Sequence, residues 1–297
     1  MTKAGITVHC LWPETVPRLF CKKLSSKAQE RTIKRLLTAA IALPLLILLV
    51  LKGTLFLFGC FVLIISLLGL EEYYSMALPG RRGVGHAASF AGALLPLCAL
   101  SPEPAVFLPA LTLLVILFSL LFLFSFRDLR CATVEVSHVF TGFLYVPFLL
   151  AHLLMLRGLP CGIQWIFLLL VIVMSGDTCA FYVGSSIGRR KLYPLVSPNK
   201  SVEGAIGGLA GSVIGALIAR GVFFPELTIA DALATALLLG ILGQLGDLFE
   251  SFLKRGFGVK DSGTIIPGHG GVLDRLDSIL FAAPGAFYYA AFIFTGN

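Results

Sequence analysis

The ionisable residues between Gln244 and Ser278 are dense enough to do chemistry. The stretch reads QLGDLFESFLKRGFGVKDSGTIIPGHGGVLDRLDS and holds four Asp, one Glu, four Lys or Arg and one His in an otherwise apolar chain. An ionisable side chain near hydrocarbon costs free energy unless it pairs, binds a ligand or reaches water. Asp247, Glu250, Ser251 and Lys254 follow i, i+3, i+4, i+7 spacing and share one helix face. Asp274 and Asp277, three apart, share a face of the helix that follows. Between these helices, residues 256–272 carry six glycines in 17 residues together with Pro267, a loop whose backbone can approach a ligand closely. Lys254, Arg255, Lys260 and Arg275 surround it. Carboxylates bind hard cations, and cations together with Lys and Arg bind phosphates. The chemistry implied is phosphoryl or nucleotidyl transfer, in which catalysis is mostly positioning and charge stabilisation. The preference for basic residues in cytoplasmic loops accounts for Lys254 and Arg255 without any chemistry. It does not account for Asp247 at the end of one apolar run or for two aspartates at the start of the next.

The elements that must position these residues are membrane helices. Of the 297 residues, 57% are hydrophobic and only 13% charged, against about 25% charged in an average soluble domain. The expected fold is all-α, a polytopic integral membrane protein of about nine spans near 35–51, 54–76, 86–100, 105–126, 137–156, 162–183, 202–220, 229–252 and 276–295. With the N-terminus in the cytoplasm, inside segments hold 20 of the 23 Lys and Arg, leaving Lys52, Arg157 and Arg220 outside. The net charge of +7 is thereby explained by orientation in a bilayer, so no nucleic-acid partner is expected. Residues 1–34 form a basic cytoplasmic segment, either a tail that sets topology or a surface helix over 25–35. Residues 35–160 form an N-terminal group of spans. Residues 161–297 form the catalytic region, with cytoplasmic loops 184–202 and 253–275.

Other features carry less. Seven scattered cysteines form no C-x-x-C pair and predict neither a disulfide framework nor a zinc site. Glu71 to Tyr74 close the second span and read as an interfacial anchor, with a contribution to the site as the lesser alternative. Gly207, Gly211 and Gly215 make a small-residue ridge, for packing within the chain or, alternatively, for a homodimer contact. Gly240, Gly243 and Gly246 predict close packing where Asp247 emerges.

A second polar region opens at Asp177 and runs to Gly204. It faces the same side as the first cluster and contains Ser197, Lys200, Ser201 and Glu203. Ser201 and Glu203 also suit a helix N-terminus, as cap and as acidic first-turn residue. A capped N-terminus binds phosphate too, so both readings hold together.

Two motifs carry a resemblance. The pattern S-x-L-K-R-x4-K-D-x-G-x2-I-P-x-H-G-G-V-x-D-R-L-D, from Ser251 to Asp277, resembles the signature of the phosphatidate cytidylyltransferases, the CDP-diacylglycerol synthases. S-P-x-K-[ST]-x-E-G, as Ser197 to Gly204, resembles their second conserved region, with Ser201 where Thr is common and Cys179 where Gly or Ala is common. The resemblance implies transfer of the cytidylyl group of CTP to phosphatidic acid, giving CDP-diacylglycerol and pyrophosphate. It implies Mg²⁺, with an optional K⁺, on Asp247 and Asp274, and Asp277, Asp177 and Asp261 as second choices. Lys200, Lys254, Arg255, Lys260 and Arg275 become candidates for the triphosphate and the lipid phosphate. Ser197, Ser201, Glu203 and the backbone of Gly270 and Gly271 complete the substrate site, and His269 either protonates pyrophosphate or, the favoured reading, donates a hydrogen bond to it. The implied setting is a bacterial inner membrane, with the site facing the cytoplasm, where nucleotide and membrane lipid meet. An ion-coupled transporter is the alternative from another class, but it would place its carboxylates at mid-membrane. A related lipid nucleotidyltransferase or kinase remains the alternative of the same class.

Overall fold

The computed structural model describes residues 40–101, 106–125, 128–266 and 270–296. The basic segment 1–34, with the surface helix expected at 25–35, lies outside the described residues, as do Gly268 and His269. Hydrocarbon offers no partner for a backbone amide, so long apolar runs become helices that satisfy their own N–H and C=O groups. The chain accordingly folds as α1 (Ala40–Lys52), α2 (Leu55–Ala77), α3 (Arg82–Ala93), α4 (Phe107–Ser125), α5 (Leu129–Phe143), α6 (Leu149–Gly158), α7 (Gly162–Ile187), α8 (Val202–Val222), α9 (Ile229–Gly256) and α10 (Leu273–Phe292). Among the described residues, seven helical stretches are long and apolar enough to cross a membrane. Two of these are compound. The α3 stretch continues as a 3₁₀ turn, Leu95–Leu100, which contains Pro96. Helices α5 and α6 are joined by a π-turn, Leu144–Phe148, around Pro147, whose ring and missing N–H interrupt the α-helical ladder. The shorter α1 and the more polar α10 stand where the first and last spans are expected. The protein is an all-α polytopic membrane protein.

The loop expected over 184–202 is more ordered than its sequence suggests. Helix α7 runs on to Ile187, and an antiparallel hairpin follows, β1 (Lys191–Tyr193) with β2 (Ser197–Ser201). Local hydrogen bonds build this corner. Ser201 caps α8 by accepting from the Gly204 N–H at 3.1 Å. The Glu203 carboxylate accepts from the backbone N–H groups of Arg189 and Arg190 at 3.0 and 3.2 Å.

The glycine ridge packs within the chain. Gly207, Gly211 and Gly215 of α8 face Val183, Cys179 and Ser175 of α7, and a Cβ on Gly211 would stand 2.6 Å from the Cys179 Cβ. The same ridge is therefore not available for a contact with a second copy. On α9, Gly240 faces Ser212 of α8, and Gly246 faces the Asp277 carbonyl of α10. Small residues let these backbones approach closely where lipid offers little hydrophobic drive for helix association. The result is a tight four-helix group, α7 to α10, which carries the polar motifs.

One expectation fails at α2. Glu72, Tyr73 and Tyr74 are 3%, 0% and 2% exposed, so they are not an interfacial anchor. The Tyr74 hydroxyl donates to the Val139 carbonyl of α5 at 2.8 Å, and the Tyr73 ring meets Phe257 edge-on at 5.8 Å. Only Glu71 stays near the surface, 2.7 Å from His86 of α3. The hydropathy of α2 does not reveal that its last turn packs on other parts of the protein rather than on headgroups.

Candidate active site

The ends of α7 and α9, the start of α8 and α10, and the hairpin enclose a cavity of about 930 Å³. That is the upper range for a small-molecule site, roughly 300–1,000 Å³, and large enough for a nucleotide. Five carboxylates line it: Asp177 from α7, Asp247 from α9, Asp261 from the loop, and Asp274 and Asp277 from α10. Three cations, Lys200, Lys254 and Arg275, line it as well.

Each lysine faces a carboxylate across an element boundary. Lys200 of β2 lies 2.6 Å from Asp247 of α9, and both side chains are partly exposed, at 28% and 32%. Lys254 of α9 lies 2.6 Å from Asp274 of α10 and 3.2 Å from Glu250 one turn earlier. Glu250 is fully buried, and Lys254 is nearly so. Among the described residues, no donor in hydrogen-bonding geometry completes the Glu250 carboxylate, which relies on the lysine charge. Asp274 is held further by the backbone. Its carboxylate accepts from Gly271 N–H at 3.0 Å and from Ser262 N–H at 3.2 Å. Gly270 has φ +88°, a left-handed conformation that costs an L side chain free energy, and it lies beside this carboxylate.

The cavity thus gathers Asp177, Lys200, Ser201, Asp247, Lys254, Asp261, Gly270, Asp274, Arg275 and Asp277 from the two sequence regions. Other candidates stand beside it. Gly271 supplies its N–H to Asp274 from just outside the lining. Arg255 braces the corner, donating to the carbonyls of Val196 and Val259 at 3.4 and 3.1 Å. Glu203 is engaged by the backbone of Arg189 and Arg190. Ser197 pairs with Tyr193 at the hairpin end, and Lys260 is exposed outside the lining. His269 lies outside the described residues.

Several participants carry no signal in the motifs. Gln244 donates from Nε2 to the Ala205 carbonyl at 3.0 Å, and it lines the cavity with Asn199. Glu72, from α2, accepts from Ser262 Oγ at 3.0 Å and from the backbone N–H groups of Val272 and Leu273, each at 2.9 Å. Its partners lie 190 to 201 positions away in sequence, beyond the reach of any spacing rule.

Does this donor set fit a hard cation? Among the described residues, no three His, Cys, Asp or Glu side chains converge as a ready-made metal cage. Mg²⁺ does not need one. It binds through one or two carboxylates and fills its remaining positions with water and substrate phosphate. Five carboxylates against three cations leave the cavity wall negative, which would repel a triphosphate unless a cation joined it. The residues fit a divalent cation carried in with a phosphate substrate.

Comparison with known proteins agrees with this chemistry. The model of the family described as "Cytidylyltransferase family" matches residues 33–293. A Bacillus subtilis (strain 168) protein named phosphatidate cytidylyltransferase is 40% identical over 181 residues, covering 60% of this chain and 67% of its own. Proteins of the same name from Staphylococcus haemolyticus (strain JCSC1435) and Staphylococcus aureus (strain COL) are 37% and 36% identical, each covering 84% of this chain and 95% of its own.

Proposed function

The chain belongs to the cytidylyltransferase family, and from that premise we propose how its residues make CDP-diacylglycerol. It is a phosphatidate cytidylyltransferase by activity: CTP and phosphatidate give CDP-diacylglycerol and pyrophosphate. A phosphate oxygen of phosphatidate forms a bond to the α-phosphorus of CTP, and the bond from that phosphorus to the bridging oxygen of the β-phosphate breaks. The attacking oxygen is already anionic, so no strong base is required. The barrier lies in bringing two anions together and in the charge that gathers on the leaving pyrophosphate.

The observation that carries this reading is the cavity wall itself, where lysines and carboxylates alternate at the ends of apolar helices. Lys200 and Arg275, which line the cavity, bind and orient phosphates. The N-terminus of α8, capped by Ser201, lines the cavity and adds the positive end of a helix dipole. Lys254 keeps Glu250 and Asp274 compensated, so the α9–α10 corner stays fixed while substrates exchange. Asp247 and Asp274 would hold Mg²⁺, and Asp177 and Asp277 line the same cavity. Such an ion supplies charge neutralisation of the phosphates and of the leaving group. The basic loops support a cytoplasmic site, and relatives from bacteria support a bacterial cell membrane.

The test is label transfer by purified protein in detergent with phosphatidic acid, radiolabelled CTP and Mg²⁺. Label is expected in the lipid phase only with metal, lost with EDTA and lost in Asp247→Asn. The pair Lys200–Asp247 is partly exposed, so its stability value is about 1 kcal/mol or less and the variant is expected to stay folded. Near-normal activity in Asp247→Asn would remove this residue from the cation site. No labelled lipid from folded parent protein would overturn the reaction itself.

A further inference from the structure

We infer that Glu72 is a positioning residue for cytidylyl transfer, fixing the loop between α9 and α10 from the far half of the chain. The inference rests on the reaction proposed above but reads a different part of the molecule. Helix α2 contributes nothing to the cavity lining, yet consecutive residues of its last turns hold both ends of that loop.

At the loop's far end, Glu72 Oε1 accepts from Val272 N–H, and Oε2 accepts from Leu273 N–H and Ser262 Oγ. These are the first backbone donors of α10, which have no partner within the helix. Val272 is not a capping side chain, and the sequence around it offers no local cap. A carboxylate from another helix takes that place, favoured by the positive end of the helix. Gly263 and Gly271 lie so close to Glu72 that a Cβ on either would collide with its carboxylate. At the loop's near end, Phe257 is gripped edge-on by Tyr73 at 5.8 Å and by His138 of α5 at 5.4 Å.

The grip is passed directly to the site. Ser262 takes Glu72 with its hydroxyl and Asp274 with its N–H. Gly271, whose N–H donates to Asp274, precedes the two residues whose N–H groups Glu72 accepts. Asp274 in turn holds Lys254. Glu72 is thus one residue removed from the carboxylate on which the cavity's geometry depends. It is 3% exposed and touches no cavity-lining side chain by hydrogen bond, which makes it a positioning rather than a catalytic residue.

The experiment compares Glu72→Gln, Ser262→Ala and their combination with the parent protein and with Glu71→Gln. Gln keeps the shape of Glu but turns one oxygen into an amide NH₂ that faces an N–H donor. Two readouts are taken in detergent: turnover with CTP varied, and hydrogen exchange of peptides covering 257–275. Glu72→Gln is expected to lower kcat by about 100-fold, the scale of a misplacement near 1 Å, with a much smaller change in KM for CTP. Exchange at Gly271 to Leu273 is expected to speed up by about tenfold or more, with the other helices unchanged. Ser262→Ala should do less, and the combination should be less than additive, because both changes break the same hydrogen bond. Glu71→Gln should leave both readouts at parent values. Parent-like kcat and exchange in folded Glu72→Gln would overturn the inference. If Glu72→Gln does not fold, Ser262→Ala decides, and unchanged exchange in it would overturn the inference. Exchange is read without substrate, so a parent protein that makes no labelled lipid would sink the reaction without touching this result.

Discussion

Lys254 places one positive charge between two carboxylates, the fully buried Glu250 and the cavity-lining Asp274. Such a buried group is weak evidence for net stability, since desolvation offsets much of the Coulomb gain. Removing the central charge is another matter, because the buried Glu250 is left without the one ion-pair partner it has among the described residues. Lys254→Met is therefore expected to destabilise the protein by about 3 kcal/mol or more, together with loss of turnover. Lys260→Met, at an exposed position outside the cavity, is expected to leave stability near the parent value. Apparent melting in detergent compares the two, and equal melting would show that Lys254 is not the keystone of this corner. Lys200 and Asp247 form the contrasting pair. Their partial exposure leaves them free to trade partners when a phosphate arrives.

At the scale of elements, the glycine ridge sets where the two motif regions meet. The α7–α8 contact carries Asp177 on one side and the Ser201 cap on the other. Gly211→Val pushes branched carbon into Cys179, which forces the helices apart at a cost of about 1–3 kcal/mol. It is expected to cut activity more than stability alone explains, measured as turnover at a temperature where the variant remains folded. Full activity there would mean that the α7–α8 spacing does not govern the site. The sequence makes this level partly legible. Asp247, Glu250 and Lys254 declare their shared face through helix periodicity, and Asp274 and Asp277 do the same on α10. The ridge reads from spacing as well. The hairpin over 191–201 is not legible, because its strands are short, polar and held by Glu203 and Val202 rather than by an alternating apolar pattern. Glu72 is legible only as part of the lesser reading of Glu71 to Tyr74, because Glu71 is chemically identical in sequence and differs only in which way the helix turns it.

At the scale of the whole molecule, the charge pattern predicts an orientation that the proposed chemistry would use. With basic loops inside, cysteines placed at 189 and at 221 should report opposite sides of the membrane. In a background cleared of the seven native cysteines, an impermeant maleimide applied to intact spheroplasts is expected to label the second at once. The first should need permeabilisation. The reverse order would invert the topology and put the cavity on the wrong face for cytoplasmic CTP. The same architecture also has a history in time. Glu72 leaves the ribosome some 200 residues before Val272 and Leu273, the amides that it will hold. At translation rates of about 5–20 residues per second, that separation is roughly 10–40 s. For most of that interval, a newly inserted α2 carries a carboxylate whose partners, Ser262 first and then Val272 and Leu273, are not yet made. The active site is therefore completed only when the last helix arrives, and a chain stopped before residue 262 leaves Glu72 without any of these three partners.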